Sequence, residues 1–391
     1  MVVTFGQRGN GYRRVSRTRP CYICKKPDWC SRTVTESISF CARSTRNANR
    51  ISRHGWGVYY HEGIGLDFDF YRSINGFQKR KVNTVSRSYA PPVIRDKVYR
   101  KLIELSPASS SYEIVNGRGG LMERRIQDFS QYGSLPRTVI ERRVLVERLL
   151  ESLAKVGEVP CFLGIPGFWR DARGSLRLWS EQEPSTDLML IPFVGPDGHI
   201  RACQIRFMRN IPNKSGRYVW LSSSMEKDGC GPGTPLHHAD PHRGVDKPFL
   251  VTEGALKAAT AQRFLSESYV VGNSGVATSH REIIETARRK PLEIAFDNDS
   301  YSNPHVARAL AKLVRLRYAD QKAFAFDDDV RILTWDRSIK GIDETLLAGL
   351  PIQRITVAEW LKYLTPECLE QARQQLSLGS TGKEAAGKLA S

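Results

Sequence analysis

Three acidic side chains directly follow apolar runs in the second half of the chain. Glu253 ends the run FLVTE, and Asp297 and Asp299 follow the run LEIAF. Because ligands collect outside the carboxyl ends of the strands of an open α/β sheet, we expect the three carboxylates to meet in one crevice. A D-x-D pair at the end of a strand directs both carboxylates the same way. Such a cluster repels itself unless a hard cation such as Mg²⁺, which prefers oxygen ligands, neutralises it.

The alternative explanation for these carboxylates is structural, with Asp299 as a helix N-cap and Glu253 in solvent. Each carboxylate taken alone favours that alternative. Their occurrence at successive predicted strand ends favours the metal site. An ion held there bridges phosphate oxygens and lowers the pKa of an attacking hydroxyl.

Half of the eight cysteines lie close together near the start of the sequence. They are Cys21, Cys24, Cys30 and Cys41. A C-x2-C pair on a tight turn holds Zn²⁺ from one side, and two further thiolates complete a tetrahedron. The second pair has the spacing C-x10-C, so two alternatives stay open: His54 or His61 replaces one thiolate, or Cys30 is a buried thiol. A closed zinc site stabilises a segment that is too small to build a core.

Positive charge is concentrated at the N-terminal end. Residues 1–100 contain 20 Lys and Arg against 6 Asp and Glu, within a chain of 391 residues and formal charge +18. The basic residues are accompanied by aromatic ones, a combination typical of single-stranded nucleic acid binding. The set is Arg43, Arg46, Arg50, Arg53, Trp56, Tyr59 and Tyr60. With no apolar run long enough for a bilayer and no apolar segment in the basic leader, the composition predicts a cytoplasmic protein with a nucleic-acid partner and no membrane.

The elements that must position these residues follow from the hydrophobic pattern. Apolar runs alternate with helical stretches over residues 247–350, which predicts an α/β fold with a mostly parallel sheet. The predicted strands are FLVTEG, YVVGNSG, LEIAFDND and VRILTW, and the predicted helices follow Ala255, Ser279 and Pro304. Short alternating runs between turns over 158–235 indicate a β-rich module. A helix is predicted over 136–157, with Pro136 in its first turn and Gly157 at its end.

These features divide the chain into seven segments. The predicted segments are a disordered basic leader (1–20), a zinc-ribbon-like module (21–60), a linker and helical region (61–156), a β-rich α+β subdomain (157–246), an α/β domain (247–350), a C-terminal helical segment (351–378) and a disordered tail (379–391).

The E-G pair, the apolar strand after it and the D-x-D pair together resemble the TOPRIM domain, which bacterial-type primases, topoisomerases and some nucleases share. The segments KGIDETLLAG, DLMLIPFVGPDGHIRACQIRFM and SGRYVWLSS resemble parts of primases, and CYICKKPDWC resembles the zinc module in front of them. The resemblance covers roughly 21–60 and 157–350 and is nearest to primase-like proteins of phages, plasmids and other mobile elements. The sequence departs from the pattern at Lys257, which stands where many primases have an acidic residue, and in its zinc spacing.

The resemblance implies a metal-dependent primase-type nucleotidyltransferase that makes short primers on single-stranded DNA from nucleoside triphosphates. It implies a general acid–base or metal-ligand role for Glu253 and a Mg²⁺ or Mn²⁺ site at Asp297 and Asp299, with Asp343 as a weaker ligand. The residues implied for the template groove or the nucleotide phosphates are Arg206, Lys214, Arg217, Tyr218, Lys257 and Lys340.

Two other functions stay open at this point. A TOPRIM-type nuclease would cleave DNA without nucleotides, although the β-rich segment at 158–235 argues against it. A non-catalytic zinc and TOPRIM-like DNA-binding protein is the other alternative, supported by the positive charge of Lys257 beside the acidic cluster. The sequence contains no G-x4-G-K-[ST] motif, so a helicase motor would be a separate partner.

Overall fold

The computed structural model describes eleven stretches of the chain, which form two compact units, Met1–Val85 and Ser86–Ser391. The described residues are 12–33, 38–46, 48, 50–52, 56–60, 89–117, 125–157, 161–210, 217–226, 228–243 and 246–377. Residues 1–11 of the predicted leader, the whole predicted tail and parts of the linker therefore lie outside them, whereas residues 12–20 of the leader are described and include a short strand. Within the described residues, no helix is long and apolar enough to cross a membrane.

The first unit contains a small antiparallel sheet with the strand order β1-β2-β3-β5-β4. Its strands are β1 (Tyr12–Arg14), β2 (Ser31–Thr33), β3 (Ile38–Cys41), β4 (Arg50–Ile51) and β5 (Gly57–Tyr60). The buried cluster beside the sheet consists of three cysteines with Val15, Ala42 and Tyr59. Among the described residues of this unit the cluster holds few apolar side chains, which favours stabilisation by a further cross-link.

The first part of the second unit is a four-stranded antiparallel sheet packed against helices. The helices are α1 (Pro92–Leu105), α2 (Tyr112–Asn116) and α3 (Val139–Lys155). The strands are β6 (Gly133–Leu135), the hairpin β7 (Phe168–Arg170) and β8 (Leu176–Leu178), β9 (Leu188–Val194), β10 (Ile200–Phe207) and β11 (Tyr218–Trp220), and the sheet has the order β11-β10-β9-β6. Val98 and Leu102 of α1 and Leu149 of α3 share one core with Leu190 and Ile205.

Two sequence expectations need correction in this region. The aromatic and basic residues, Pro91-Pro92 and the serine run Ser109–Ser111 predict an irregular linker over 61–135, but α1 begins at Pro92, where a missing N–H costs nothing in the first turn of a helix. The helix predicted over 136–157 begins at Val139 rather than Pro136. Thr138 and Glu141 form a reciprocal capping box that sets this start.

The rest of the second unit is a six-stranded mixed sheet with helices on both faces. Its strands are β12 (His237–His238), β13 (Phe249–Glu253), β14 (Tyr269–Asn273), β15 (Leu292–Ala295), β16 (Val330–Thr334) and β17 (Gln353–Ile355). Its helices are α4 (Ala255–Phe264), α5 (His280–Thr286), α6 (Pro304–Phe324), α7 (Ile342–Leu347), α8 (Val357–Lys362) and α9 (Pro366–Ser377). The predicted alternation of strands and helices is confirmed.

The strand order β12-β14-β13-β15-β16-β17 places a topological switch beside β13. Strands β14, β13, β15 and β16 are parallel, and the two edge strands are antiparallel. Ala258 of α4 packs on one face with Leu250, whereas Ile283 of α5 packs on the other face with Phe249 and Val251. The chain crosses from β13 to its neighbour β14 through α4 on one face, and then from β14 to β15, on the other side of β13, through α5 on the opposite face. The loops after β13 and β15 therefore border the crevice where such sheets bind ligands.

Candidate functional site

The fold brings Glu253 and Asp297 to the same edge of the sheet. Glu253 is the last residue of β13, and Asp297 stands two residues after the end of β15. The two strands are held in register by Thr252, which pairs with Ala295 and whose Oγ1 donates to the Ala295 carbonyl at 2.9 Å. Both carboxylates therefore lie at the switch between β13 and β15, the edge where open α/β sheets bind ligands.

The D-x-D pair does not continue the strand, so the expectation of two parallel carboxylates on a strand is wrong. Strand β15 ends at Ala295, and Asp297 stands directly before a short 3-10 helix, Asn298–Tyr301, whose first turn contains Asp299. Asn298 fixes this turn, since its Nδ2 donates to the carbonyls of Asp336 and Ile339 at 2.9 and 2.7 Å. The loop after β16 thereby sets the positions of both aspartates.

Asp297 is engaged by two lysines. Lys257, in the first turn of α4, donates from Nζ to Asp297 Oδ1, and Lys340 Nζ lies 3.8 Å from Asp297 Oδ2. The Lys257 side chain is 21% exposed, whereas that of Lys340 is 70% exposed. Burial by itself lowers the pKa of Lys257, but Asp297 and Glu253 outweigh burial and the pKa is raised. Lys257 therefore carries its charge at neutral pH.

Among the residues that the structure describes, Glu253 and Asp299 have no such cation in contact. Burial raises the pKa of Glu253, with the charges of Asp297 and Asp299 adding to the effect and Lys257 opposing it. Burial and the neighbouring Asp297 likewise raise the pKa of Asp299. Within the described part of the chain, the buried Oδ1 atom of Asp299 has no hydrogen-bond partner. An unpaired buried oxygen of this kind is costly unless a ligand or ion completes it.

Asn273 is a residue of the same edge that sequence reasoning missed. It ends β14 opposite Glu253, and its carbonyl accepts from the N–H of Gly254 at 2.7 Å. Its side chain is fully buried, and in the described structure neither its Oδ1 nor its Nδ2 has a hydrogen-bond partner. The signal in the sequence was a polar residue ending an apolar run, the same signal that identified Glu253.

Asp343, the weaker candidate ligand, has an arginine partner from a distant part of the chain. The Nε atom of Arg125 lies 2.8 Å from Asp343 Oδ2, and its Nη2 donates to Glu344 at 2.8 Å. The side chains of Asp343 and Arg125 are 0% and 7% exposed. Burial raises the pKa of Asp343 while Arg125 opposes that shift. The structure thus gives Asp343 a stabilising role that the sequence did not indicate.

The fit of these residues to a divalent ion is uneven. Across the described residues, the four cysteines are the one group of three or more potential ligands close enough to share an ion. Asp297 is engaged by Lys257, whereas the unpartnered oxygen of Asp299 fits a cation. Magnesium or manganese at the carboxylates therefore stays a prediction, with the Asp299 side as the part of the site that fits it.

The candidate nucleic-acid residues of the antiparallel sheet differ in exposure. Arg206 is 1% exposed, so it is neither a groove residue on the surface nor part of a solvated face, and its guanidinium lies 5.7 Å from the centre of the Tyr218 ring. Tyr218 is 47% exposed, and Arg217 donates from Nε to Asn210 at 2.6 Å. Lys214 lies outside the described residues.

The four cysteines of the first unit have the geometry of a zinc site. Their Sγ atoms lie within 4.8 Å of one another, and the Sγ of Cys30 is 3.7 Å from that of Cys24 and 3.8 Å from that of Cys41. Four ligands tetrahedrally placed at a Zn–S distance of about 2.3 Å would be separated by about 3.8 Å. The cluster fits a structural zinc site, with Cys30 among the ligands. His54 and His61, the alternative ligands, lie outside the described residues.

The aromatic residues of this unit divide differently from the sequence expectation. Tyr59 is buried, and its hydroxyl donates to the carbonyls of Ser44 and Arg46 at 3.0 and 2.9 Å, so it is not a stacking surface. Trp56 packs against the cysteine core. Trp29, between two of the cysteines, is 63% exposed and offers an open ring. The side chain of Tyr60 lies outside the described part.

Comparison with solved structures finds DNA primase domains. A primase domain from Pseudomonas aeruginosa is 17% identical, with a TM-score of 0.43 and coverage of 76% of this chain and 99% of that one. The zinc-binding and RNA polymerase domains of Aquifex aeolicus primase are 16% identical, with a TM-score of 0.41 and coverage of 98% and 90%. The RNA polymerase domain of Mycobacterium tuberculosis primase DnaG is 14% identical, with a TM-score of 0.44 and coverage of 74% and 99%.

No protein-family model and no curated protein matches the sequence. Since the TM-scores of these structures lie below 0.5, the likenesses carry no argument about the chemistry of this chain. Its function has to be argued from its own residues.

Proposed function

We propose that this protein is a DNA primase-type nucleotidyltransferase that synthesises short primers on single-stranded DNA for a mobile element. The observation that carries the proposal is the placement of Glu253 and Asp297 at the carboxyl ends of adjacent parallel strands, beside the sheet's topological switch. Asp299 adds a third carboxylate to this edge. An enzyme that handles nucleoside triphosphates needs such an acidic edge to bind the cation that accompanies the phosphates.

In the proposed reaction, the 3′ hydroxyl of the growing primer attacks the α-phosphorus of a nucleoside triphosphate and pyrophosphate leaves. Glu253 would accept the proton of the attacking hydroxyl on the carboxylate oxygen that does not bind the ion, and burial raises the pKa of this group. Glu253 and Asp299 would hold a divalent ion that neutralises phosphate charge. The exposed ammonium of Lys340 would contact the triphosphate, and the exposed ring of Tyr218 would stack on a base.

The first unit supports a nucleic-acid substrate. Residues 12–60 contain 11 Lys and Arg against 2 Asp and Glu, and they include the zinc cluster and the exposed Trp29. The excess of positive charge attracts phosphates, and an open indole ring stacks on unpaired bases. A separate helicase would supply single-stranded template, since the chain has no P-loop motif of its own.

A second candidate function is favoured by the contact between Lys257 and Asp297. A lysine that neutralises a carboxylate of the acidic edge reduces the need for a metal ion. Under this second candidate, the protein binds single-stranded DNA during replication and catalyses no nucleotidyl transfer.

A primer-synthesis assay separates the candidates. Wild type, Glu253→Gln and Asp297→Asn are incubated with single-stranded DNA, labelled ribo- or deoxynucleoside triphosphates and Mg²⁺ or Mn²⁺. We expect primers from wild type, at least a hundredfold less product from both variants, and unchanged synthesis by the control Glu370→Gln, an exposed acid on α9.

Three results would contradict the proposed enzyme. Wild type that binds single-stranded DNA but makes no primer supports the second candidate. Cleavage of DNA without nucleotides indicates a nuclease instead. Full synthesis by Glu253→Gln and Asp297→Asn would remove the acidic edge from the reaction.

A further inference from the structure

Both carboxylate oxygens of Asp297 face an ammonium group. Lys257 is in hydrogen-bond contact with Oδ1, and Lys340 approaches Oδ2 to 3.8 Å. Asp297 itself is only 4% exposed, so the contact with Lys257 is shielded from water and from salt. The charge of this carboxylate is thereby already balanced within the chain.

The surroundings of Lys257 are fitted to its side chain. Gly341 begins the turn into α7, and a Cβ atom at this residue would lie 3.2 Å from Cε and 3.5 Å from Nζ of Lys257, and 2.5 Å from Asp343 Oδ1. A glycine therefore leaves the space that the ammonium and Asp343 occupy together. Since Lys257 projects from the first turn of a helix that is packed on both sheets, its backbone position is fixed as well.

The remaining acids of this edge divide into two groups. Asp343 has its own cation in Arg125. Glu253 and Asp299, in contrast, have no ion-pair partner among the described residues, and one oxygen of Asp299 is buried without a hydrogen-bond partner. A free positive charge would be stabilised beside Glu253 and Asp299 and repelled beside Lys257.

We propose that Lys257 is the resident cation of Asp297, so that a divalent ion binds this edge of the sheet from Glu253 and Asp299 without Asp297 as a ligand. The side-chain ammonium thus takes the place of one metal ion, and Asp297 acts as a positioning residue for Lys257. This inference rests on the proposed function for its purpose, but metal affinity tests it without any turnover.

The test is a titration of the zinc-loaded full chain with Mn²⁺, followed by electron paramagnetic resonance and calorimetry in the absence of nucleotide. For wild type we expect one weak carboxylate site whose affinity changes less than threefold in Asp297→Asn. Lys257→Met should tighten Mn²⁺ binding at least tenfold, because it removes a positive charge and frees Asp297. Adding Asp297→Asn to Lys257→Met should abolish that gain.

Lys340→Met is the matched control, since it removes the exposed lysine whose ammonium lies 3.8 Å from the same carboxylate, beyond hydrogen-bond distance. Its effect on Mn²⁺ affinity should stay below threefold. Melting curves with and without Mn²⁺ guard against a folding defect: the ion should raise the melting temperature of Lys257→Met more than that of wild type.

Two results would overturn the inference. The first is a tenfold or greater loss of Mn²⁺ affinity in Asp297→Asn with Lys257 intact, because Asp297 would then be a metal ligand. This variant decides the question even if Lys257→Met does not fold. The second is equal Mn²⁺ affinity in wild type and a folded Lys257→Met. Either result leaves the primer-synthesis assay to decide the proposed function on its own.

Discussion

The buried ion pair between Arg125 and Asp343 gives the sharpest prediction about stability. Their side chains are 7% and 0% exposed, and the carbonyl of Arg125 also accepts hydrogen bonds from Thr260 and Arg263 of α4. Replacing Arg125 with Met would keep most of the apolar stem and leave the carboxylate of Asp343 buried without its cation. The pair links the segment before β6 to the first turn of α7.

The size of the effect follows from burial. Removing one partner of a buried pair costs about 3–5 kcal/mol, because the other charge stays desolvated. An unfolding entropy of about 2.1 cal/mol/K per residue gives about 0.6 kcal/mol/K for a unit of about 300 residues, so the melting temperature should fall by about 5–8 °C. The double variant Arg125→Met/Asp343→Leu removes both charges and should recover most of this loss.

Calorimetry or circular dichroism of the full chain measures these melting temperatures. The control is Arg281→Met, which removes an arginine whose side chain is 91% exposed and paired with Glu285, and it should shift the melting temperature by about 1 °C or less. A change of less than about 2 °C in Arg125→Met, or equal losses in the single and double variants, would refute the reasoning.

Three further predictions concern the other parts of the molecule. Wild type should hold about one zinc ion per chain, and Cys41→Ser should hold much less after treatment with a chelator. Cys161 is exposed and lies outside the cluster, so Cys161→Ser should retain its zinc in the same metal analysis. Asp299→Asn should raise the free energy of unfolding at pH 7 by about 1 kcal/mol. The raised pKa of Asp299 means that its ionised carboxylate destabilises the fold and that protonation at low pH removes this cost. The gain in the free energy of unfolding should therefore shrink in denaturant titrations as the pH falls from neutral to about pH 4, and a constant gain would contradict the prediction. Trp29→Ala should weaken single-stranded DNA binding by about 5- to 150-fold in fluorescence anisotropy, whereas Tyr112→Ala, at an exposed ring in the other unit, should not.

Local patterns in the sequence were sufficient for the main elements of the α/β sheet. The strands at 249, 269, 292 and 330 are rich in apolar residues because helices cover both faces of the sheet, and that burial makes short apolar runs visible without any tertiary information. The cysteine cluster was predictable for a similar reason. Ligand type and close spacing along the chain limit where a metal can bind.

The helix boundaries show where local reasoning was incomplete. Proline breaks a helix in its interior but suits its first turn, so the same Pro91-Pro92 pair is compatible with a linker or with the start of α1. The D-x-D pair is also compatible with a strand or with a turn. The hydrogen bonds of Asn298 to residues about forty positions away select the turn.

The sequence by itself determined that acidic residues, lysines and cysteines of the right types are present and that parallel strands present Glu253 and Asp297 at one edge. Only the tertiary structure decided the partner of each charge: Lys257 for Asp297 and Arg125 for Asp343. The physical reason is that a charged side chain takes the partner that is nearest when water is excluded, and that neighbour can be separated by hundreds of residues along the chain. The burial of Arg206 and Tyr59 was undetermined in the sequence for the same reason.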